Sequence, residues 1–298
     1  MTYEETLKNI ALNDERIIVM TAENRALVRN LPTALGDRFI DTGITEQTMI
    51  GMAAGLALRG RKPIFHALAT FLTMRAFEFI RTDVGISGLP VKLTSWVPGF
   101  LSDANGPTHQ AIEDVSIMRG IPGMQVYCPA DEQDMVAMLP HIWGNESPVY
   151  LRAIVRKSAV EHAPFEIGKA EIFQEGSDIT LLVYGYLFEE ARQCAKILEA
   201  KGMKVGLVNM RSLQPVDEEA ILRSCKNSGL VVTIEDHFQI GGLYSIVAET
   251  LLKYGVSGNV KPIALNQKWF KPALMSEVLE YEGFTPEKLA VRCNEFLN

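Results

Sequence analysis

Short, almost wholly apolar runs alternate along this chain with longer segments of mixed character. Residues 2 to 12 read as a helix, and Ile17-Ile18-Val19-Met20-Thr21 as a buried strand ending in Ala22-Glu23-Asn24. Arg38-Phe39-Ile40-Asp41 predicts a second strand that feeds a helix starting near Glu46, and Lys62-Pro63-Ile64-Phe65-His66 a third. A helix over Thr73 to Val84, a strand over Val91 to Ser95 and a Gly/Pro-containing loop from Trp96 to Thr108 follow. Met124 to Tyr127, Asp131 to Trp143 and Pro148 to Arg152 then read as strand, helix and closing strand. Apolar strands separated by helices imply a parallel sheet covered on both faces, with ligands at the carboxyl ends of the strands. Glu23, Glu46, the segment after His66 and the Trp96–Thr108 loop all belong to that edge.

The pattern restarts after a polar stretch, Val155 to Ser177. Strands are expected at 178–185, 204–208, 230–235 and 260–263, and helices at 187–201, 217–227 and 242–254. The fold class expected is therefore α/β, with two parallel-sheet three-layer domains: residues 1–157, a linker at 158–177 with a local hairpin or extended crossing, and residues 178–298. No internal repeat or low-complexity segment interrupts this reading.

Composition narrows the function. A chain of 298 residues, 47% hydrophobic and 22% charged, can bury a large core. No run approaches the roughly 18 apolar residues of a membrane span, and the start lacks the basic-then-apolar pattern of a signal peptide, so a cytoplasmic location is expected. Cys128, Cys194, Cys225 and Cys293 are far apart without metal spacing and read as reduced core thiols. A net charge of −7 without a basic cluster argues against nucleic acid and anionic membranes as partners.

The most informative stretch is Asp41 to Leu58. It sets Glu46 and Gln47 at the mouth of a helix made almost entirely of apolar and small residues, with Thr45 as candidate N-cap. A carboxylate drawn out of water must find a partner or keep its proton, which is useful to an enzyme; the plainer alternative is that Glu46 caps its own helix. Gly51, Ala53, Ala54 and Gly55 would allow close packing, internally or between subunits. Asn105-Gly106-Pro107-Thr108-His109-Gln110 presents consecutive polar groups suited to a polyhydroxylated ligand, unless Thr108 simply caps a helix starting near His109. His66 reads as a satisfied core histidine, His162 as a solvated linker side chain, and Glu235-Asp236-His237 as a structural turn rather than a metal trio.

Several motifs in order resemble the C-terminal half of the transketolase family: Gly43-Ile44-Thr45-Glu46-Gln47 through Gly55-Leu56-Ala57, Gly106-Pro107-Thr108-His109-Gln110 with Glu113-Asp114, Ile117-Met118-Arg119, Ile121-Pro122 and Pro129-Ala130-Asp131. Glu235-Asp236-His237 with Gly241-Gly242-Leu243 is similar to that family's last domain. The resemblance implies a pyrimidine-binding domain followed by a C-terminal domain, with thiamine diphosphate as cofactor. The Gly-Asp-Gly run that supplies Mg²⁺ ligands in the family's diphosphate domain is not in this sequence, so the resemblance implies a split enzyme whose N-terminal partner subunit carries that domain and the metal, with self-association across a two-fold into a heterotetramer.

The same resemblance implies roles. Glu46 and His109 would be catalytic: Glu46 would bond the aminopyrimidine ring nitrogen, and His109 the donor sugar. Phe71, following Thr70, would wall the pyrimidine pocket, with Met74 and Phe77 at positions where the family carries further aromatics, and Glu23 nearby. Asn105 would read a sugar hydroxyl, and Arg152 and Arg156 are candidates for a displaced phosphate-binding arginine. Counting without a gap, Val97 and Tyr3 fall where the family has a phosphate-binding histidine and arginine, so the sugar or sugar phosphate substrate is expected to be non-standard or its phosphate held elsewhere. Two other readings remain: the pyrimidine-side subunit of a 2-oxo acid dehydrogenase-type enzyme, and a non-catalytic assembly subunit.

Overall fold

The structure is a computed structural model that describes residues 1–101, 105–266 and 268–297; positions 102–104 of the expected long loop lie outside these. Its strands in chain order are β1 (Ile17–Thr21), β2 (Phe39–Asp41), β3 (Lys62–Leu68), β4 (Lys92–Trp96), β5 (Gln125–Tyr127), β6 (Val149–Ala153), β7 (Glu171–Gln174), β8 (Ile179–Val183), β9 (Val205–Asn209), β10 (Ser212–Gln214), β11 (Leu230–Phe238) and β12 (Val260–Leu265). The first sheet runs β10-β5-β6-β4-β3-β1-β2, all parallel except β10. The second runs β12-β11-β8-β9-β7, parallel except β7. The expected α/β architecture is what the chain adopts.

The apolar strands are buried on both faces, and their two-residue alternation divides the core. Ile17, Val19 and Ile64 pack with Tyr3, Leu7, Met138 and Ile142 on one side of the first sheet, while Ile18, Met20 and Phe65 pack with Ile50 and Ala53 on the other. This second core continues through Val126, Tyr150 and Leu213 to Leu182 and Val208 of the second sheet and Leu243 at the start of the Leu243–Tyr254 helix. The two domains therefore share one core. The far face of the second sheet, with Ile179, Leu181 and Val183, is covered by the Phe188–Glu199 and Pro286–Leu297 helices. Two further helices, Met275–Glu282 and Pro286–Leu297, follow the last strand that periodicity had suggested. All four cysteines are free, and no helix among the described residues is long and apolar enough to cross a membrane.

The supposed linker is where sequence reasoning failed most. Glu171–Gln174 is a strand of the second sheet, and Ser212–Gln214 crosses back to pair with β5 of the first. His162 is buried rather than solvated, with its side chain 3% exposed: Nε2 bonds Asp131 Oδ2 at 2.9 Å and Nδ1 bonds Glu171 Oε2 at 2.8 Å. Asp134 Oδ1 accepts from Arg211 at 2.9 Å, and Asn209 donates to Asp134 at 3.0 Å and to Glu171 at 3.1 Å. Asp134, His162 and Glu171 thus converge as metal ligands would, with ligand atoms within 4.8 Å, but each is already engaged. Burial works against the charged imidazole, yet the bonds to Asp131 and Glu171 outweigh it and raise the His162 pKa to about 10. A protonated imidazole has no lone pair for a metal.

His162→Gln should lower stability by about 3 kcal/mol near pH 6. The raised pKa means that His162 contributes fully below its ordinary value near 6.5 and loses that contribution as pH rises through about 10. Denaturation of wild type and variant should accordingly differ most near pH 6 and converge toward pH 10; a gap that widens with pH would contradict this account.

Candidate functional site

In the order β2-β1-β3-β4 the chain leaves β1 toward one side for β2 and then crosses to the other for β3, so the strand order reverses between β1 and β3. Such switch points leave a crevice at the carboxyl ends of the strands. Here it is a cavity of about 250 Å³ lined by Ala22, Glu23 and Asn24 after β1, Ile44 and Glu46 after β2, and Leu68 and Phe71 after β3. That is below the roughly 300–1,000 Å³ of complete small-molecule sites, and suits one ring rather than a whole extended cofactor.

Glu46 begins the Glu46–Leu58 helix, whose Met49, Ile50, Ala53, Ala54 and Ala57 are buried. Its side chain is 3% exposed, and Oε2 accepts from Arg75 Nη1 at 2.9 Å. Thr45 stands at the cap position but its hydroxyl makes no cap bond; it lies 2.6 Å from the Thr42 hydroxyl instead. Asp41, at the end of β2, ties the crevice together. Its Oδ1 accepts from the backbone of Glu23 at 3.1 Å and of Gly43 at 3.0 Å, and its Oδ2 from Arg25. These bonds hold Glu23 at φ 71°, a left-handed conformation that L residues seldom adopt and that clusters at functional sites. The small residues divide: Ala53 and Ala54 are internal, whereas Gly55 would have open space for a Cβ.

Phe71 opens a π-helical turn, Phe71–Arg75, not the regular helix expected from Thr73 onward. The wider turn brings Arg75 over the ring of Phe71, 4.2 Å from its centroid. It also explains why Met74 and Phe77 do not line the cavity: counting by threes holds only at α-helical pitch, and Phe77 packs against the shared core. His109 meets Phe71 edge to face at 4.9 Å, with its Nδ1 2.9 Å from the Thr108 hydroxyl. Thr108 caps no helix, since the next one starts at Asp114. Gln110 is buried with both amide atoms unpaired among the described residues, as is the Thr70 hydroxyl.

The loop carrying His109 is pinned by the second domain. Gly99 donates to Ala111 O, and a Cβ on Gly99 would lie 1.7 Å from Asp236 Oδ2; one on Gly106 would lie 2.7 Å from Pro272. Arg152, expected near a substrate phosphate, is instead 1% exposed, with Nε on Asp114 at 2.9 Å and Nη1 on Asp236 at 2.8 Å. Tyr150 also donates to Asp114, at 2.5 Å. Arg156 is likewise committed, to both oxygens of Glu190 and to the face of Tyr186. Both arginines belong to the domain junction because the closing strand of the first sheet runs into the second domain. The Glu235-Asp236-His237 side chains diverge: Glu235 accepts from the backbone of Leu243 and Tyr244 at a helix start, Asp236 pairs with Arg152, and His237 Nε2 accepts from Ser116 N.

Tyr3 and Val97 offer no cation. Tyr3 is buried, its hydroxyl 2.7 Å from His66 Nε2, and burial pushes His66 down to about 4, which keeps it neutral in the core. Val97 holds φ 49°. Asn105 is exposed at the end of the described loop. Sequence reasoning missed Arg75 and the bracing role of Asp41. A cation four residues after an aromatic was the available signal for the first.

These features define a two-domain α/β protein whose ligand crevice holds a buried carboxylate beside an aromatic ring. Family models match residues 1–158 as the transketolase pyrimidine binding domain and residues 168–289 as the transketolase C-terminal domain. The chain is 40% identical over 256 residues to the 6-deoxy-6-sulfo-D-fructose transketolase subunit SqwH of Clostridium sp. (strain MSTE9), covering 84% of this chain and 79% of that one. It is 30% identical to an apulose-4-phosphate transketolase subunit of Phocaeicola vulgatus, over 99% of this chain and 96% of the relative. Among solved structures, a split-gene transketolase described as an inactive beta4 tetramer superposes with a TM-score of 0.89 at 33% identity, covering 99% of this chain and 96% of its own. The chain belongs to the transketolase family and has the domain content of its C-terminal half.

If Gly99 is where the second domain pins the loop, Gly99→Ala should cost more than about 2 kcal/mol, because φ is +60° and Asp236 occupies the space a methyl needs. Urea denaturation measures this; an unchanged midpoint would show that the loop is held elsewhere.

Proposed function

We propose that this chain is the C-terminal subunit of a two-subunit, thiamine diphosphate-dependent transketolase. It would move a two-carbon ketol unit from a ketose to an aldose when joined to a partner subunit carrying the diphosphate-binding domain. The observation that carries this reading is the convergence of a nearly buried carboxylate and an aromatic ring in one ring-sized cavity at the switch point. When bound, thiamine diphosphate supplies a carbon nucleophile able to cleave the C2–C3 bond of a ketose. Glu46 would share a proton with a pyrimidine ring nitrogen at its Oε1, the oxygen that accepts no hydrogen bond among the described residues. Phe71, Ile44 and Leu68 would pack on the ring and exclude water. His109, with Nδ1 engaged by Thr108, would present Nε2 to a donor oxygen. Mg²⁺ and the diphosphate would be held by the partner.

The residues on the exposed side of this site favour a covered surface. Ile44, which lines the cavity, is 63% exposed, and Met52, Phe79 and Ile86 of the same domain are exposed as well. Partner docking with two-fold self-association would bury them. The similar split-gene protein described as inactive is a tetramer of one subunit type, which agrees with a site completed only by a second chain.

The substrate is proposed to lie outside the ordinary pentose and hexose phosphates. Tyr3 and Val97 carry no charge, and Arg152 and Arg156 are consumed by internal carboxylates, so this chain lacks the usual phosphate clamp at the expected positions. The names of two relatives, one for a sulfonated fructose and one for apulose 4-phosphate, go with this reading.

In the complex reconstituted with a partner subunit that carries the diphosphate-binding domain, Glu46→Gln should reduce ketol transfer by at least about 10²-fold while assembly on a sizing column is unchanged; near-normal turnover would overturn the assignment. Xylulose 5-phosphate with ribose 5-phosphate should be poor substrates in the wild-type complex. Ordinary transketolase efficiency with that pair would refute the substrate proposal, and decarboxylation of a 2-oxo acid with no ketose requirement would point to the dehydrogenase-type alternative.

A further inference from the structure

Arg75 has no role in the chemistry proposed so far, yet it is the one side chain among the described residues that hydrogen-bonds the Glu46 carboxylate. Its own side chain is 39% exposed, against 3% for Glu46, so the pair spans the rim of the crevice, with the carboxylate inside and the cation outside. The same guanidinium lies 4.2 Å above the Phe71 ring, and that ring in turn makes the edge-to-face contact with His109. Glu46, Arg75, Phe71 and His109 therefore form one continuous chain of contacts around the cavity mouth. Residues 71 and 75, four apart in the Phe71–Arg75 turn, share one face.

We propose that Arg75 is a positioning residue for the proton-sharing carboxylate, an inference that rests on the role given to Glu46 under the proposed function. By taking Oε2, the guanidinium fixes the rotation of the carboxyl group and leaves Oε1 as the oxygen directed to an incoming aminopyrimidine. By stacking on Phe71, it fixes the ring on which that pyrimidine would rest. The two tasks need a flat, delocalised cation with directional N–H groups: a lysine keeps the charge but neither the fork nor the stacking plane. Arg75 touches neither cofactor nor substrate in this scheme. It acts through Glu46 and Phe71.

The test uses Arg75→Lys and Arg75→Met, with Glu46→Gln as control, in the complex reconstituted with the partner subunit. Three quantities are read: the Kd of thiamine diphosphate by calorimetry, the rate of C2 proton exchange of the saturated cofactor by quenched-flow NMR, and the ketose KM. A misaimed group costs up to about 10²-fold, so Arg75→Met should raise the Kd several-fold and slow exchange by about 10- to 100-fold, with the ketose KM unchanged. Arg75→Lys should fall between it and wild type. Wild-type Kd and exchange in an Arg75→Met complex that assembles overturn the inference, as does a loss in that complex that comes only with a lowered melting temperature. Should Arg75→Met not assemble, Arg75→Lys decides: slowed exchange at saturating cofactor supports positioning, and a wild-type rate refutes it. If Glu46→Gln itself keeps wild-type exchange, the proposed function fails; if Glu46→Gln loses exchange while the Arg75 variants keep it, only the inference about Arg75 fails.

Discussion

Arg152 is the interaction on which the rest of this structure hangs. It is a fully buried cation at the end of β6, held by Asp114 from the first domain and Asp236 from the second. Taking three charges out of water is costly unless each is matched in good geometry. Here the match can be made only when the carboxyl ends of both sheets face each other. Tyr150 adds a bond to Asp114, and Gly99 leaves room for Asp236 by having no side chain. The cluster thereby sets the relative position of the domains and, through Gly99 and Ala111, the path of the loop that carries His109 to Phe71.

A second polar junction repeats this logic beyond the end of the neighbouring strand β5. Asp131, Asp134, His162, Glu171, Asn209 and Arg211 come from the first domain, the connecting segment and the second domain. The connection is thus structural cement and not a tether. Together with the apolar core that the two domains share, these junctions give the crevice at the β1–β3 switch point a rigid platform. The proton sharing proposed for Glu46 would need such support, because small errors in its aim are expensive. On the outer side of the crevice Ile44 remains exposed.

Much of the fold was legible in the chain. The apolar strands from Ile17 to Arg152 and from Ile179 to Ile263 follow the periodicity closely, since strands buried on both faces admit little but Val, Ile, Leu and similar residues. Glu46 was legible as a site candidate for a related reason, since a carboxylate at the mouth of an apolar helix interrupts a pattern that burial would otherwise make uniform, whereas Phe71 was singled out only by the family resemblance. By contrast, Met74 and Phe77 were misplaced because a π turn leaves no mark in hydrophobic periodicity. His162 was misjudged because its partners, Asp131 and Glu171, lie 31 and 9 residues away. The strand Ser212–Gln214 was missed because it pairs with a sheet belonging to the other domain.

The sequence by itself determined the class of fold and pointed to the edge of the sheet where the crevice and Glu46 lie. Both depend on local pattern, which hydrophobic burial imposes residue by residue. Only the tertiary structure decided which charges are free to act. Arg152 and Arg156 look available in the sequence and are consumed by carboxylates distant in the chain, whereas Arg75 looks like one more surface cation and pairs with Glu46. Charge pairing in a folded protein depends on proximity in space, and proximity in space is what the order of residues does not state.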